Sequence, residues 1–94
     1  MKTTTPDLGK LHRQNQKRLQ DFLNVELDLG FTFAELAKSE AQAAHVEVLK
    51  SRAEQAIRVV EHFEPRIEAS SAKARVKRRA AELKGFISEA EPRP

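Results

Sequence analysis

The chain contains no cysteine, no tryptophan and no tyrosine. Without cysteine there is no disulfide framework, no thiolate metal site and no thiol nucleophile. Phenylalanine, present five times, is the only aromatic side chain. Backbone breakers are also scarce, with three glycines and four prolines in 94 residues. No apolar run reaches the length of a signal peptide or a bilayer span. The expectation is a cytoplasmic protein with no membrane span.

What is present points to one small helical domain. The composition is 39% apolar and 33% charged, too apolar for simple disorder. Ninety-four residues are enough for one modest core. Charge is unevenly placed. Residues 1–18 carry five Lys/Arg against Asp7. Residues 19–49 carry six acids against Lys38, and residues 50–94 carry eleven bases against seven acids. A basic–acidic–basic chain can satisfy itself once its helices pack antiparallel.

Residues 1–7 read as a flexible tail in which Thr5, Pro6 and Asp7 suit a helix start. The domain proper is expected over 8–90, with a C-terminal tail at 91–94. Helices are predicted at about 8–40, 45–63 and 71–89. The break near 40–45 is the weakest boundary, because it holds neither Gly nor Pro. Pro65 ends the second helix, since it lacks an amide donor and disfavours helix in the residue before it. Ser70 or Ser71 is a natural cap for the third. The second helix presents Ala43, Val46, Leu49, Ala53, Ala56, Ile57 and Val60, joined past the proline by Ile67. The third presents Ala72, Val76, Ala80, Leu83, Ile87 and Ala90 at spacings of three and four.

The first helix poses the main question. Its stretch FLNVELDLGFTFAELA, residues 22–37, alternates apolar and polar residues from Val25 to Phe33. That is a strand pattern. A lone strand leaves its backbone groups unpaired, and no second alternating segment exists here. The stretch is therefore read as helix, and the fold as an all-α, antiparallel three-helix bundle. On that helix Leu19, Phe22, Leu23, Glu26, Gly30, Phe33, Ala34 and Ala37 share a core face, which Leu8 and Leu11 extend upstream. Val25, Leu29 and Leu36 lie to one side of it, Leu27 and Phe31 to the other. This arc is wider than one stripe needs. The surplus points to self-association or a protein partner through Val25, Leu27, Phe31 and Leu36.

The middle of the chain resembles a tetratricopeptide helix pair. Leu29-Gly30 with Phe33 matches its first helix, and Ala53, Ile57, Val60 and Pro65 its second. Val60 is larger than that motif prefers, and the Gly30–Ala53 interval is about three helical turns too long. The resemblance is thus to a lengthened hairpin, with no second copy to stack on. Trafficking-type three-helix domains and small bacterial helical-bundle proteins of unassigned function are similar too. The resemblance implies architecture and partner binding, with no catalytic role.

Chemistry-bearing motifs are absent. There is no Glu-x-x-His, no His-Glu-x-x-His, no Gly-rich phosphate loop and no Gly-x-Ser-x-Gly elbow. No catalytic residue, metal ligand or cofactor is expected. Glu26 falls on the core face. It is read either as a buried carboxylate with a raised pKa, or as a structural residue that pairs with Arg52, Arg58 or His45 or reaches the bundle edge. His45 borders the second helix's stripe as a core-edge histidine. Gly30 is read as a point of close helix approach. The run Lys73, Arg75, Lys77, Arg78 and Arg79 is the strongest basic patch. With Lys10, Arg13, Lys17 and Arg18 it offers an alternative function, contact with nucleic-acid phosphates. Its bases split to both sides of the apolar stripe, and no aromatic interleaves them for base stacking. The preferred expectation is a non-catalytic protein-interaction module or homodimer, with nucleic acid second.

Overall fold

A computed structural model describes residues 8–89. Three helices form: α1 (Leu8–Ser39), α2 (Ala43–Phe63) and α3 (Ser70–Glu89). A single 3-10 turn, Glu64–Arg66, follows α2. The described residues contain no strand, and the alternating run 25–33 lies wholly within α1. The proposed N-terminal cap at Thr5–Asp7, Ala90 and the C-terminal tail lie outside the described residues.

The helix ends follow from local chemistry. Between α1 and α2 the break spans residues 40–42 and uses no positive φ, so it needs no glycine. Ser39 Oγ donates to the carbonyls of Glu35 and Leu36, satisfying acceptors that a helix end leaves open. Gln42 turns extended (φ −92°, ψ 120°), and its carbonyl accepts from the Val46 amide at 3.0 Å. The Glu40 side chain accepts from the Gln42 amide at 3.1 Å. At the other end of α2, Pro65 sits in the 3-10 turn, and Ile67 leaves it extended. Ala69 accepts the first hydrogen bond of α3 from the Lys73 amide. Ser70 and Ser71 therefore sit inside the first turn of α3 rather than at its cap.

The helices pack up, down and up, all three touching. α1 has 32 residues against 21 and 20 for its neighbours, so it runs past the end of α2. Its overhang clamps the α2–α3 connection. Gln16 donates to the Arg66 carbonyl at 3.0 Å and accepts from the Glu68 amide at 2.9 Å. His12 Nε2 lies 2.7 Å from Glu68 Oε1.

The core is built from Leu23, Leu27 and Ala34 of α1, Ala53, Ile57 and Val60 of α2, Ile67, and Ala72, Val76, Ala80, Leu83 and Ile87 of α3. Gly30 marks the point where all three helices meet. A methyl group added there would stand 2.5 Å from Leu83 Cδ2 and 3.2 Å from Ala56 Cβ. The expectation of close approach at Gly30 is met, with α2 and α3 both as neighbours. Gly85 has nothing within 4 Å of an added methyl. Gly85→Ala should then gain about 0.5–1 kcal/mol from helix propensity alone. Gly30→Ala sets the same gain against about 1–3 kcal/mol of overpacking. Urea unfolding followed by circular dichroism should rank Gly85→Ala well above Gly30→Ala. Equal shifts would mean that the Gly30 crossing is not tight.

Candidate interaction surface

The core face of α1 is turned from the one expected. Successive residues rotate about 100° around a helix axis. The predicted face centred between Gly30 and Glu26. The buried set Leu23, Leu27, Gly30, Ala34 and Ala37 centres about 40° further round, towards Leu27 and Phe31. The cause is α3, which packs on that side. Arg79 donates to Asn24 Oδ1 at 2.7 Å and to Asp28 Oδ1 at 2.6 Å. Phe86 meets Phe31 edge-on at 6.1 Å, and Lys38 stands 4.3 Å over the Phe86 ring while bonding Glu89.

The structure corrects the assignments of Leu27, Phe31 and His45 and decides that of Glu26. Leu27, expected at an interface, is 0% exposed and central to the core. Phe31, also expected there, is half-buried between Phe86 and the Arg79 guanidinium. Glu26, whose alternatives were burial, an ion pair or a place at the bundle edge, is half-buried at that edge. Arg52 lies over Phe33. His45, expected at the core edge, is exposed, its side chain 60% accessible, with Glu40 Oε2 3.8 Å away. Rotating the core towards Leu27 carries Glu26 to the rim.

Val25 and Leu36 stay on the surface, at 55% and 49% exposure. Leu29, set beside them in the sequence reading, joins them, and so do Leu8, Leu11 and Phe22, which that reading placed on the core face and which the structure leaves exposed. The described residues hold seven exposed large apolar side chains, and six are on α1: Leu8, Leu11, Phe22, Val25, Leu29 and Leu36. All six fall on one seven-residue repeat with spacings of three and four. The remaining places of that repeat hold Asn15, Arg18, Thr32 and Ser39. This is the pattern of a coiled-coil seam. It runs along the outer side of α1, about 130° round the axis from the core face. Phe22 reaches inward enough to meet Phe63 edge-on at 6.0 Å and still leaves 43% of its surface exposed. The repeat was present in the sequence, but counting Phe22 as core concealed it.

The basic patch on α3 is partly consumed inside the bundle. Arg79 is bonded to α1 as above. Lys77 Nζ approaches Glu64 Oε1 at 3.4 Å, and Lys84 bonds Glu61 at 2.6 Å. Lys73 is half-buried, while Arg75 and Arg78 are exposed. Glu64 is a residue that sequence reasoning passed over. It is buried, and its Oε1 accepts no hydrogen bond. It lies in a shallow cleft of about 340 Å³ between α2 and α3, lined by Val60, Glu61, Lys77, Ala80, Ala81 and Lys84. Two opposed acid–base pairs account for the polar lining of that cleft, and they brace α2 against α3.

Among the described residues no three His, Asp or Glu side chains converge as a metal site, and no helix is long and apolar enough to cross a membrane. No protein-family model, curated protein or solved structure matches the chain.

The inner and outer leucines of α1 should respond very differently to truncation. Leu27→Ala empties a fully buried position and should cost about 2–5 kcal/mol. Leu29→Ala, at 46% exposure, should change monomer stability by no more than about 0.5 kcal/mol. Denaturant titration in dilute solution checks both. Similar losses at the two positions would contradict the rotated core face.

Proposed function

We propose that the chain is a non-catalytic helical interaction module that docks a protein helix along the outer face of α1. The observation that carries this reading is the seam itself. Six of seven exposed large apolar side chains stand in one register on one helix face, with a complete core beneath them. Scattered surface apolars need no explanation, whereas a continuous row marks a contact surface. The spacing is the one by which a helix lays its apolar positions into a partner.

The α1–α2 pair supports the same reading. Joined by residues 40–42 and closed at Gly30 against Ala56, it is similar to a lengthened tetratricopeptide-like hairpin, whose role by resemblance is partner binding. Nucleic-acid contact through α3 has less behind it. Arg79 and Lys77 are engaged within the bundle, which leaves Arg75 and Arg78 as its outward cations.

A photo-cross-linking benzoylphenylalanine placed at Leu29, and at the exposed Glu82 of α3 as a control, tests the reading in producing cells. An adduct at Leu29 and none at Glu82 is the expected result. No adduct at Leu29, or equal labelling at both, removes the contact surface.

A further inference from the structure

The chain's three charge blocks do not cancel when the bundle forms. Packing up, down and up sets α3 parallel to α1. Three contacts bring the start of α1 to the turn between α2 and α3: Phe22 with Phe63, Gln16 with Arg66 and His12 with Glu68. The segments 8–23 and 62–78 therefore share one end of the bundle. Together they hold nine Lys/Arg against three acids. The other described segments, 24–61 and 79–89, hold six Lys/Arg against nine acids. The fold thus makes a rod with a basic end and an acidic end.

One face of the basic end collects cations from two helices. Arg79 sets the register of α3 on α1 through Asn24 and Asp28. Arg75 and Arg78 lie about 40° and 100° round α3 from Arg79, both on its outer side. Lys17, Arg13 and Lys10 precede Asn24 by seven, eleven and fourteen residues, spacings that return to the same side of a helix. The cations of α1 thus stand beside the arginines of α3, like charge beside like. Arg13, Arg75 and Arg78 are exposed and enter no ion pair among the described residues. The acids at this face are already engaged. Lys17 holds Asp21 at 3.2 Å, His12 holds Glu68 at 2.7 Å, and Arg79 holds Asp28 at the upper border. Where α3 alone offers two outward cations, the pair of helices offers five.

We propose that this face of α1 and α3 binds the phosphate backbone of duplex nucleic acid. Charge complementarity comes first: five cations gather around acids that are already paired, and Arg13, Arg75 and Arg78 carry the planar fork that suits a phosphate. The face runs about 20 Å along the bundle, a length over which a duplex presents about a dozen phosphates. No exposed aromatic side chain stands among the cations, so there is nothing to stack unpaired bases, and the contact is to the backbone of a duplex. A flat anionic membrane fits the geometry less well. Exposed Leu8 and Leu11 lie about 160° round α1 from Lys10, Arg13 and Lys17. A membrane that took those leucines would leave α3 and its arginines on the far side of α1. The acidic end of the rod repels the same polymer, which confines contact to the basic end. The apolar seam faces about 120° away round α1, so this site stands or falls separately from it.

Fluorescence anisotropy of a labelled mixed-sequence DNA duplex, titrated with the full chain, tests the site. Dissociation constants of about 1–100 μM near physiological salt are expected, with log K falling against log salt at a slope of about −4. Arg75→Glu should weaken binding about tenfold and reduce the slope by about one. Arg13→Glu, on the other helix, should do the same. Arg58→Glu makes the same charge change on an exposed position of α2, outside this face, and should weaken binding less than about twofold at that salt. All three positions are exposed, and circular dichroism should show each variant folded as wild type. No binding at about 0.1 mM chain and low salt overturns the proposal. So does a loss with Arg58→Glu equal to that with Arg75→Glu, which would reduce the effect to net charge. Vesicles containing phosphatidylserine, sedimented with the chain at the same salt, test the other anionic surface. Capture by vesicles without binding to the duplex assigns the face to lipid and overturns the nucleic-acid reading.

Discussion

Every other feature of this bundle depends on the close passage of three helices at Gly30. A glycine mid-helix sacrifices about 1 kcal/mol of propensity. Here it admits Leu83 from α3 and Ala56 from α2 to within ordinary contact of the α1 backbone. Seating α3 there is what draws Leu27 to the centre of the core and brings Arg79 onto Asn24 and Asp28. It also decides which apolar residues of α1 are left over. With the core face settled on Leu23, Leu27, Ala34 and Ala37, the apolar row from Leu8 to Leu36 is left exposed among the described residues.

Electrostatics follows the same geometry. The basic third segment meets acids wherever α3 faces a neighbour: Arg79 with Asp28, Lys77 with Glu64, Lys84 with Glu61. These pairs orient α3 and use up much of its charge, and the most exposed of them, Lys84 with Glu61, contributes little stability by itself. What remains unbalanced is the lengthwise asymmetry of α1, basic at its start and acidic later.

Much of the fold was legible in the sequence. The three helices, the stop at Pro65 and the stripes on α2 and α3 follow from spacing and breakers, and the structure places them within a few residues of expectation. The face of α1 was harder, because its pattern is apolar on two sides. Steps of two residues turn a helix by about 200°, so an even alternation lays down two interleaved rows. Val25, Leu29 and Phe33 form one, Leu27 and Phe31 the other. Periodicity cannot say which row the third helix covers. That depends on where Leu83 and Phe86 land, a tertiary fact that local patterns do not encode. Hence Leu27 and Phe31 were taken for surface and Glu26 for core, while Val25 and Leu36 kept their place. His45 was misplaced for a simpler reason: it precedes the first buried residue of α2, Val46, and is turned about 100° from it.

The strand-like run in α1 thus records a helix with two apolar faces, one buried in the core and one left exposed. Paramagnetic broadening of leucine methyl signals by a soluble relaxation agent reads both faces at once. Leu27 methyls should be protected, and Leu29 methyls should be broadened in dilute solution. Leu29 methyls as protected as those of Leu27, or Leu27 methyls that broaden with them, would contradict the account.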